Sequence, residues 1–383
     1  MKKEEFSKPA GKVVKIQDAP SEQFAFIPDF LPPKITIPSP IIKEIHQVER
    51  DVARFDGMMT SLQDPMILTQ PLKYQEVQTS SDLEGTTVDL VNIVAYEIDP
   101  KEPKSIKDPR NDAREVANLK MAINHWIECK DNIPLSMRLI KELHQILMSG
   151  VRGGGRNPGE FRKLQNQIGT GRFIPPPANE LLELLNNLEK WINDPEPFHH
   201  PLLKSIIAHY QFEAIHPFMD GNGRVGRLIL SIMVAQESGM NNPPLYMSAF
   251  FNEHRSQYYD FLYNVSTKSD WLNWIDFCLT GIGIQAKDGM IKYMKLQILQ
   301  RDYLQKISKK DKSGRLRVII DNIFSTPVIT VNEVMKKLEI NWQTARNTIK
   351  QLEEFAILRG EYLEGDPKQY FIASDIVDII YSR

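Results

Sequence analysis

Residues 216–227 read HPFMDGNGRVGR and gather an imidazole, a carboxylate, a Gly-Asn-Gly turn and two guanidinium groups into a span that one loop and one helix start can hold. Together these groups suit phosphate chemistry. Gly221 and Gly223 lack the Cβ that would keep backbone N–H groups away from an anion or oppose a positive φ angle. A helix expected over Arg224 to Gln236 turns its unpaired N–H groups and the positive end of its dipole to the same place. Arg224 and Arg227 stand three apart, so on that helix they share a face and are both expected to grip one polyphosphate. Asp220 offers hard carboxylate oxygens to Mg²⁺, a cation commonly held by few carboxylates together with substrate phosphates. His216, neutral near physiological pH, is the candidate base for taking a proton from an attacking hydroxyl.

The whole string resembles the signature of the Fic family, HPFx(D/E)GNGRxxR, and fills every fixed position of it. The resemblance runs from roughly Lys34 to Thr280. It implies transfer of AMP from ATP to a Ser, Thr or Tyr hydroxyl of a target protein, and of the chain itself. His216 would then deprotonate that hydroxyl, Asp220 would hold Mg²⁺ across the α- and β-phosphates, and Asn222 with Gly221 and Gly223 would cradle phosphate oxygens. Arg224 and Arg227 would bind the β- and γ-phosphates, with Val225 and Gly226 in the same nucleotide-binding run. Relatives that phosphorylate instead carry Lys at the place of Gly223, so the resemblance implies nucleotidyl transfer here.

Far upstream, Ser80-x-x-x-Glu84-Gly85 resembles the (S/T)xxxE(G/N) inhibitory motif of those Fic proteins that carry a brake on the N-terminal side. By that resemblance Glu84 pairs with Arg227 and keeps the γ-phosphate from seating. A competing local reading is a helix-starting capping box, Ser81-x-x-Glu84. Helix-forming residues over Leu72 to Leu83 and poor ones from Gly85 to Val88 instead place Glu84 at a helix end. A carboxylate there meets the negative end of the dipole and wants a cation nearby, which Arg227 could supply. The same resemblance also admits the reverse reaction, removal of AMP with Glu84 aligning water.

Between the motifs, residues 158–177 carry extended residues, a Gly-Thr-Gly break and three prolines, a hairpin signal. Its position matches the Fic flap, which pairs with an extended target segment. Tyr259, by its distance from the motif, is the match for an adenine-lining Tyr. RGGGR, residues 152–156, lacks the Lys-Ser/Thr of a phosphate loop and reads as a connection. The His pair at 199–200 sits on a Pro-rich turn without Asp or Cys at ligand spacing and reads as surface.

These groups must be positioned by helices. Apolar residues recur at three and four over Asn111–Ile127, Ser136–Met148, Asn179–Ile192 and Leu202–Ile215, so the expected fold is mainly α, a Fic helical core with a small β-hairpin flap. Residues 1–110 read as an irregular Pro-rich arm and helical region bearing the inhibitory motif, 111–288 as the core, and 289–383 as a long helix followed by a winged helix-turn-helix with its wing around Gly365-Asp366. Asn341, Gln343, Thr344 and Arg346 could read bases there, but residues 309–383 hold 12 Lys plus Arg against 11 Asp plus Glu, far from the basic footprint of a duplex binder.

A net charge of −2, two cysteines without metal or redox spacing and no apolar leader favour an ordinary cytoplasmic enzyme with no pull towards membrane. A homodimer is common among similar proteins. A DNA-binding regulator with a nucleotide-sensing core is the non-enzymatic alternative.

Overall fold

The computed structural model describes residues 1–383 except 17–22, 61–65, 106–107, 152–156, 170, 195–199, 241–244, 365 and 383. Two strands, β1 (Gly11–Lys15) and β2 (Phe24–Pro28), precede the helices α1 (Ser39–Thr60), α2 (Met66–Leu83), α3 (Leu90–Ile98), α4 (Arg110–Cys129) and α5 (Met137–Leu147). After the flap come α6 (Leu181–Ile192), α7 (Pro201–Ile215), α8 (Asn222–Glu237), α9 (Ser248–Glu253), α10 (Arg255–Lys268) and α11 (Trp271–Ile307). The chain ends in α12 (Arg315–Ser325), β3 (Val328–Ile329), α13 (Val331–Leu338), α14 (Trp342–Glu354), β4 (Arg359–Tyr362), β5 (Gln369–Ile372) and α15 (Ser374–Tyr381). Among the described residues, no helix is long and apolar enough to cross a membrane.

The core helices begin and end where local chemistry says they should. Ser136 caps α5 by accepting from the Leu139 amide. His200 caps α7 through its ring nitrogen, with Pro201 in the first turn where no amide donor is needed. α7 and α8 lie side by side and are buried almost without a break, α7 from Leu202 to Ile215 and α8 from Arg224 to Ala235. That packing fixes the loop between them, which is the motif.

Several expectations change. The N-terminal arm is not wholly irregular: β1 and β2 form an antiparallel hairpin whose Ala25 and Phe26 are fully buried. Its Val-Val and Phe-Ala-Phe-Ile runs favour strand, and the Phe26 amide donates to the Ile174 carbonyl at the flap's return. Among the described residues the flap closes through one bridge, Ile168 to Phe173, and no longer ladder. Prolines 175–177 have no amide to donate, and Gln165 covers the Pro175 carbonyl with its side chain. The long helix expected from Gly289 begins at Trp271. Ser81 lies inside α2 with its hydroxyl donating back to the Val77 carbonyl, so the capping-box reading is set aside.

The C-terminal elements order as helix, strand, two helices and a two-strand return, with β5 between β3 and β4 in one antiparallel sheet. Thr330 and Glu333 form a reciprocal capping box on α13. Residue Gly365 of the expected wing turn lies outside the described residues, as do residues 152–156 and His199.

Candidate active site

Pro217 decides where α7 stops, because a residue before proline is pushed out of the helical region. His216 leaves the helix in the left-handed conformation at φ 50°, while its amide still donates to the Phe212 carbonyl. The imidazole is thereby held at the rim of a cavity of about 450 Å³ that also takes in Glu84, Glu213, Gly223, Arg227, Arg255 and Tyr259. A cavity of that size accepts a nucleotide-sized ligand.

Three side chains shape the loop after His216. Asn222 accepts from the Phe218 amide and donates to the Phe218 carbonyl, both at 2.8 Å, which bends the turn upon itself. His144 takes the Gly159 amide on Nδ1 at 2.9 Å, so its Nε2 carries the proton it donates to the Asp220 carbonyl at 3.0 Å. Its ring stacks on Phe218 with centroids 3.7 Å apart. Arg162, inside the flap and only 4% exposed, donates to the carbonyls of His216, Leu164, Pro176 and Ile215. Among the described residues no carboxylate pairs with its guanidinium, and burial lowers its pKa to about 10.

Burial and the nearby Arg162 charge hold the His216 imidazole at about 4, with Glu84, the Glu213 carbonyl and Asp220 pulling the other way. The ring is therefore neutral at physiological pH, the form a general base needs. Nδ1 has no hydrogen-bond partner among the described residues.

Opposite the ring stands the start of α8. Gly221 caps it at φ 74°, a conformation that favours glycine. At Gly223 a Cβ would stand 2.3 Å from Glu84 Oε1 and 2.9 Å from Arg227 Nη1. The bare first turn of α8 is thus filled by a carboxylate, the kind of anion that helix starts attract. Glu84 reaches it from just past α2, and Arg227 Nη2 donates to its Oε1 at 2.8 Å. Arg227, 1% exposed, also grips Ser80 through Nε to the hydroxyl at 3.0 Å and Nη2 to the carbonyl at 2.8 Å. Burial pushes the Glu84 carboxyl up, but the Arg227 charge and hydrogen bond, helped by Arg224 and His216, hold it below the usual carboxylate range.

The two motif arginines meet different carboxylates. Arg224, 5% exposed, turns to α4 and donates to Glu115 Oε2 at 3.3 Å, and Glu115 also accepts from Thr86 beyond the inhibitory segment. Glu115 of α4 takes Arg224, and Glu84 takes its neighbour on the same helix face. Val225 is 1% exposed and serves the core. Gly226 is needed for close approach, since a Cβ there would meet Glu213 Oε1 at 2.1 Å. Asp220 Oδ1 accepts from the Gly221 amide at 2.7 Å.

Tyr259 lines the cavity, 38% exposed, and its hydroxyl donates to the Leu83 carbonyl at 3.3 Å, where Arg255 also donates at 2.9 Å. These donors satisfy the C-terminal carbonyl of the helix that delivers Glu84. Tyr258 is buried against His209. Sequence reading passed over Arg162, His144, Glu213 and Arg255. Only Arg162 and Glu213 lie beside motifs already marked, and nothing in their spacing tells a buried polar role from a surface one.

His144 and His209 are buried and held at about 4 and about 3 by desolvation. Above pH 6.5 each is neutral folded or unfolded, whereas below it only the unfolded chain gains the proton. Stability should fall as pH drops from about 6.5 to 4, by about 1.4 kcal/mol per unit for each ring. Buried carboxyls held protonated, with Glu213 at about 8, offset part of this loss. Thermal melts at pH 7, 6 and 5 check it, and a flat midpoint would contradict it.

Residues 134–234 match the Fic/DOC family and residues 42–128 the Fic/DOC family N-terminal region. Protein adenylyltransferase Fic of Aedes aegypti is 30% identical over 192 residues, covering 49% of this chain and 36% of that protein. The Drosophila melanogaster protein of the same name is 28% identical over 193 residues with the same coverage. The chain thus spans about a third of the length of these curated relatives, 36%. In structure, a Fic family protein from Desulfovibrio desulfuricans aligns with TM-score 0.57 at 22% identity, over 89% of this chain and 98% of the other. Fic-1 from C. elegans aligns with TM-score 0.53 at 24% identity, over 67% and 75%. At those identities the likeness concerns the fold.

Proposed function

On the premise that this chain carries a Fic/DOC family domain behind a Fic N-terminal region, we propose that it transfers AMP from ATP to protein hydroxyls and is restrained by Glu84. The observation that carries this reading is a carboxylate seated on the bare start of α8 and clasped by Arg227, with a neutral imidazole on the same cavity. An anion site and a base facing one space are what nucleotidyl transfer requires.

In that reaction His216 takes the proton from a Ser, Thr or Tyr hydroxyl on a target segment laid along the flap. The oxygen bonds to the α-phosphorus of ATP, and the bond to the bridging oxygen breaks to release pyrophosphate. Gly223 and the amides of α8 receive phosphate oxygens once Glu84 has withdrawn, and Arg227 turns from Glu84 to the terminal phosphates. Asn222 serves the shape of the turn. Asp220 is the residue that would hold Mg²⁺, and a lone carboxylate suits a cation completed by phosphates. No group of three or more potential ligands stands together among the described residues. When bound, Mg²⁺ would supply charge neutralisation. ATP labelled at the α-phosphate should leave label on protein, and ATP labelled at the γ-phosphate should leave none. The opposite pattern would mean phosphorylation.

The C-terminal elements bear on the restraint more than on DNA. Asn341 caps α14 and Arg346 pairs with Glu353 at 2.9 Å, so two of the four candidate base readers already have partners within the chain. Meanwhile α12 and α15 pack directly on α2, the helix that delivers Ser80 and Glu84. Lys292 of α11 donates to Gln75 of the same helix at 3.1 Å. At its far end the Tyr381 hydroxyl and Asp82 Oδ1 are buried without hydrogen-bond partners among the described residues, two positions from Glu84. Loosening this contact should loosen the restraint. Tyr381→Ala is expected to raise AMP transfer several-fold with Glu84 present and to add nothing to Glu84→Gly, as labelling of the single and double variants will show.

A further inference from the structure

We propose that Glu213 is a positioning residue that takes hold of Arg227 when Glu84 leaves and aims the guanidinium at the terminal phosphates. The proposal rests on the functional reading above and adds a residue which that reading does not use.

Glu213 lies in the last turn of α7, three residues before His216, and lines the same cavity. Its Oε1 is buried and finds no hydrogen-bond partner among the described residues. An orphaned buried carboxyl oxygen is costly and calls for a reason. The carboxyl rests on α8 at Gly226, where any Cβ would collide with Oε1 at 2.1 Å, so the residue next to Arg227 has no side chain and leaves this acid room. Arg227, for its part, spends Nε and Nη2 on Ser80 and Glu84, and its Nη1 lies against bare Gly223.

One guanidinium therefore stands between two carboxyls, and only one of them holds it. Like charges at close range oppose joint ionisation. Burial is the main cause that raises Glu213 to about 8; Arg227 opposes it and charged Glu84 adds to it. While Glu84 occupies the cradle, Glu213 is protonated and idle. Departure of Glu84 removes the repulsion and leaves a buried arginine short of an acceptor. Glu213 Oε1 is the buried acceptor beside it, and pairing with the freed guanidinium favours its ionised form. With five donors, the guanidinium can keep this carboxylate on one edge and offer the other to phosphate.

The test compares nucleotide binding by Glu84→Gly with that by Glu84→Gly/Glu213→Gln, using ATP and AMP as probes in a calorimeter. The expected result is ATP binding weakened about tenfold with AMP binding unchanged, because AMP lacks the phosphates that Arg227 reaches. Equal weakening of ATP and AMP, or no weakening of either, overturns the proposal. Should the Gln variant fail to fold, Gly226→Ala in the same background must show the ATP-selective loss, since it drives the carboxyl off α8. If ATP binds as expected but α-labelled ATP never marks protein, the functional reading fails and the assignment of Glu213 stands.

Discussion

Replacing Glu84 by Gly should raise AMP transfer to the chain or to a target by tenfold or more, equivalent to at least about 1.4 kcal/mol of relief at the transition state. The carboxylate sits where a Cβ on Gly223 would be and takes the Nη2 of Arg227, so it competes with phosphate for both features of the site. A ligand that meets one state and not the other shifts the balance by that difference. The same substitution carries a cost. Arg227 is 1% exposed and would exchange Glu84 for Ser80 and the buried Glu213 carboxyl, a loss of up to about 3 kcal/mol that the exchange only partly offsets. The variant should therefore melt several degrees lower without nucleotide and recover more than the parent when ATP is added. Labelling with α-phosphate-labelled ATP and melts with and without ATP test both halves. Unchanged labelling would remove the restraint, and an ATP-induced rise no larger than the parent's would remove the competition.

Exchanging His216 for Ala in that released background should lower transfer by about 10²–10⁴, the usual worth of a positioned base. ATP binding should change little, because on the proposed reading the imidazole serves the attacking hydroxyl while α8 and Arg227 hold the phosphates. The pH profile adds a sharper test. With the ring held at about 4, activity should stay level down through pH 6, where an ordinary histidine would already be mostly protonated. Glu84 raises the ring's pKa, so its removal moves the acid limb lower still. An acid limb near 6.5 would mean the ring is solvated, and ATP affinity lost along with transfer would mean that it binds rather than reacts.

Much of the site could be read in the chain. Glycine at 221 and 223, proline at 217 and the histidine before it are local requirements of a left-handed exit and a bare helix start, and they stand together within one short run. The helical core was legible for the same reason, because apolar spacing at three and four is a property of neighbours in sequence. The end of α2 beside Glu84 followed from helix propensity. Less legible were the paired strands β1 and β2, hidden by surrounding prolines, and the flap, whose Gly-Thr-Gly turn promised more pairing than prolines 175–177 allow.

By itself the sequence determined the chemistry on offer: a base, a helix start able to receive an anion, an arginine one turn further on, and a distant acid at a helix end. Tertiary packing decided who meets whom. It gave Arg224 to Glu115 and Arg227 to Glu84, turned the Asn222 side chain to its own loop, and set Arg162 under His216 and Glu213 over Gly226. Conformational preference acts over a few residues, whereas charge pairing and close approach depend on distances across helices that only the packed core establishes.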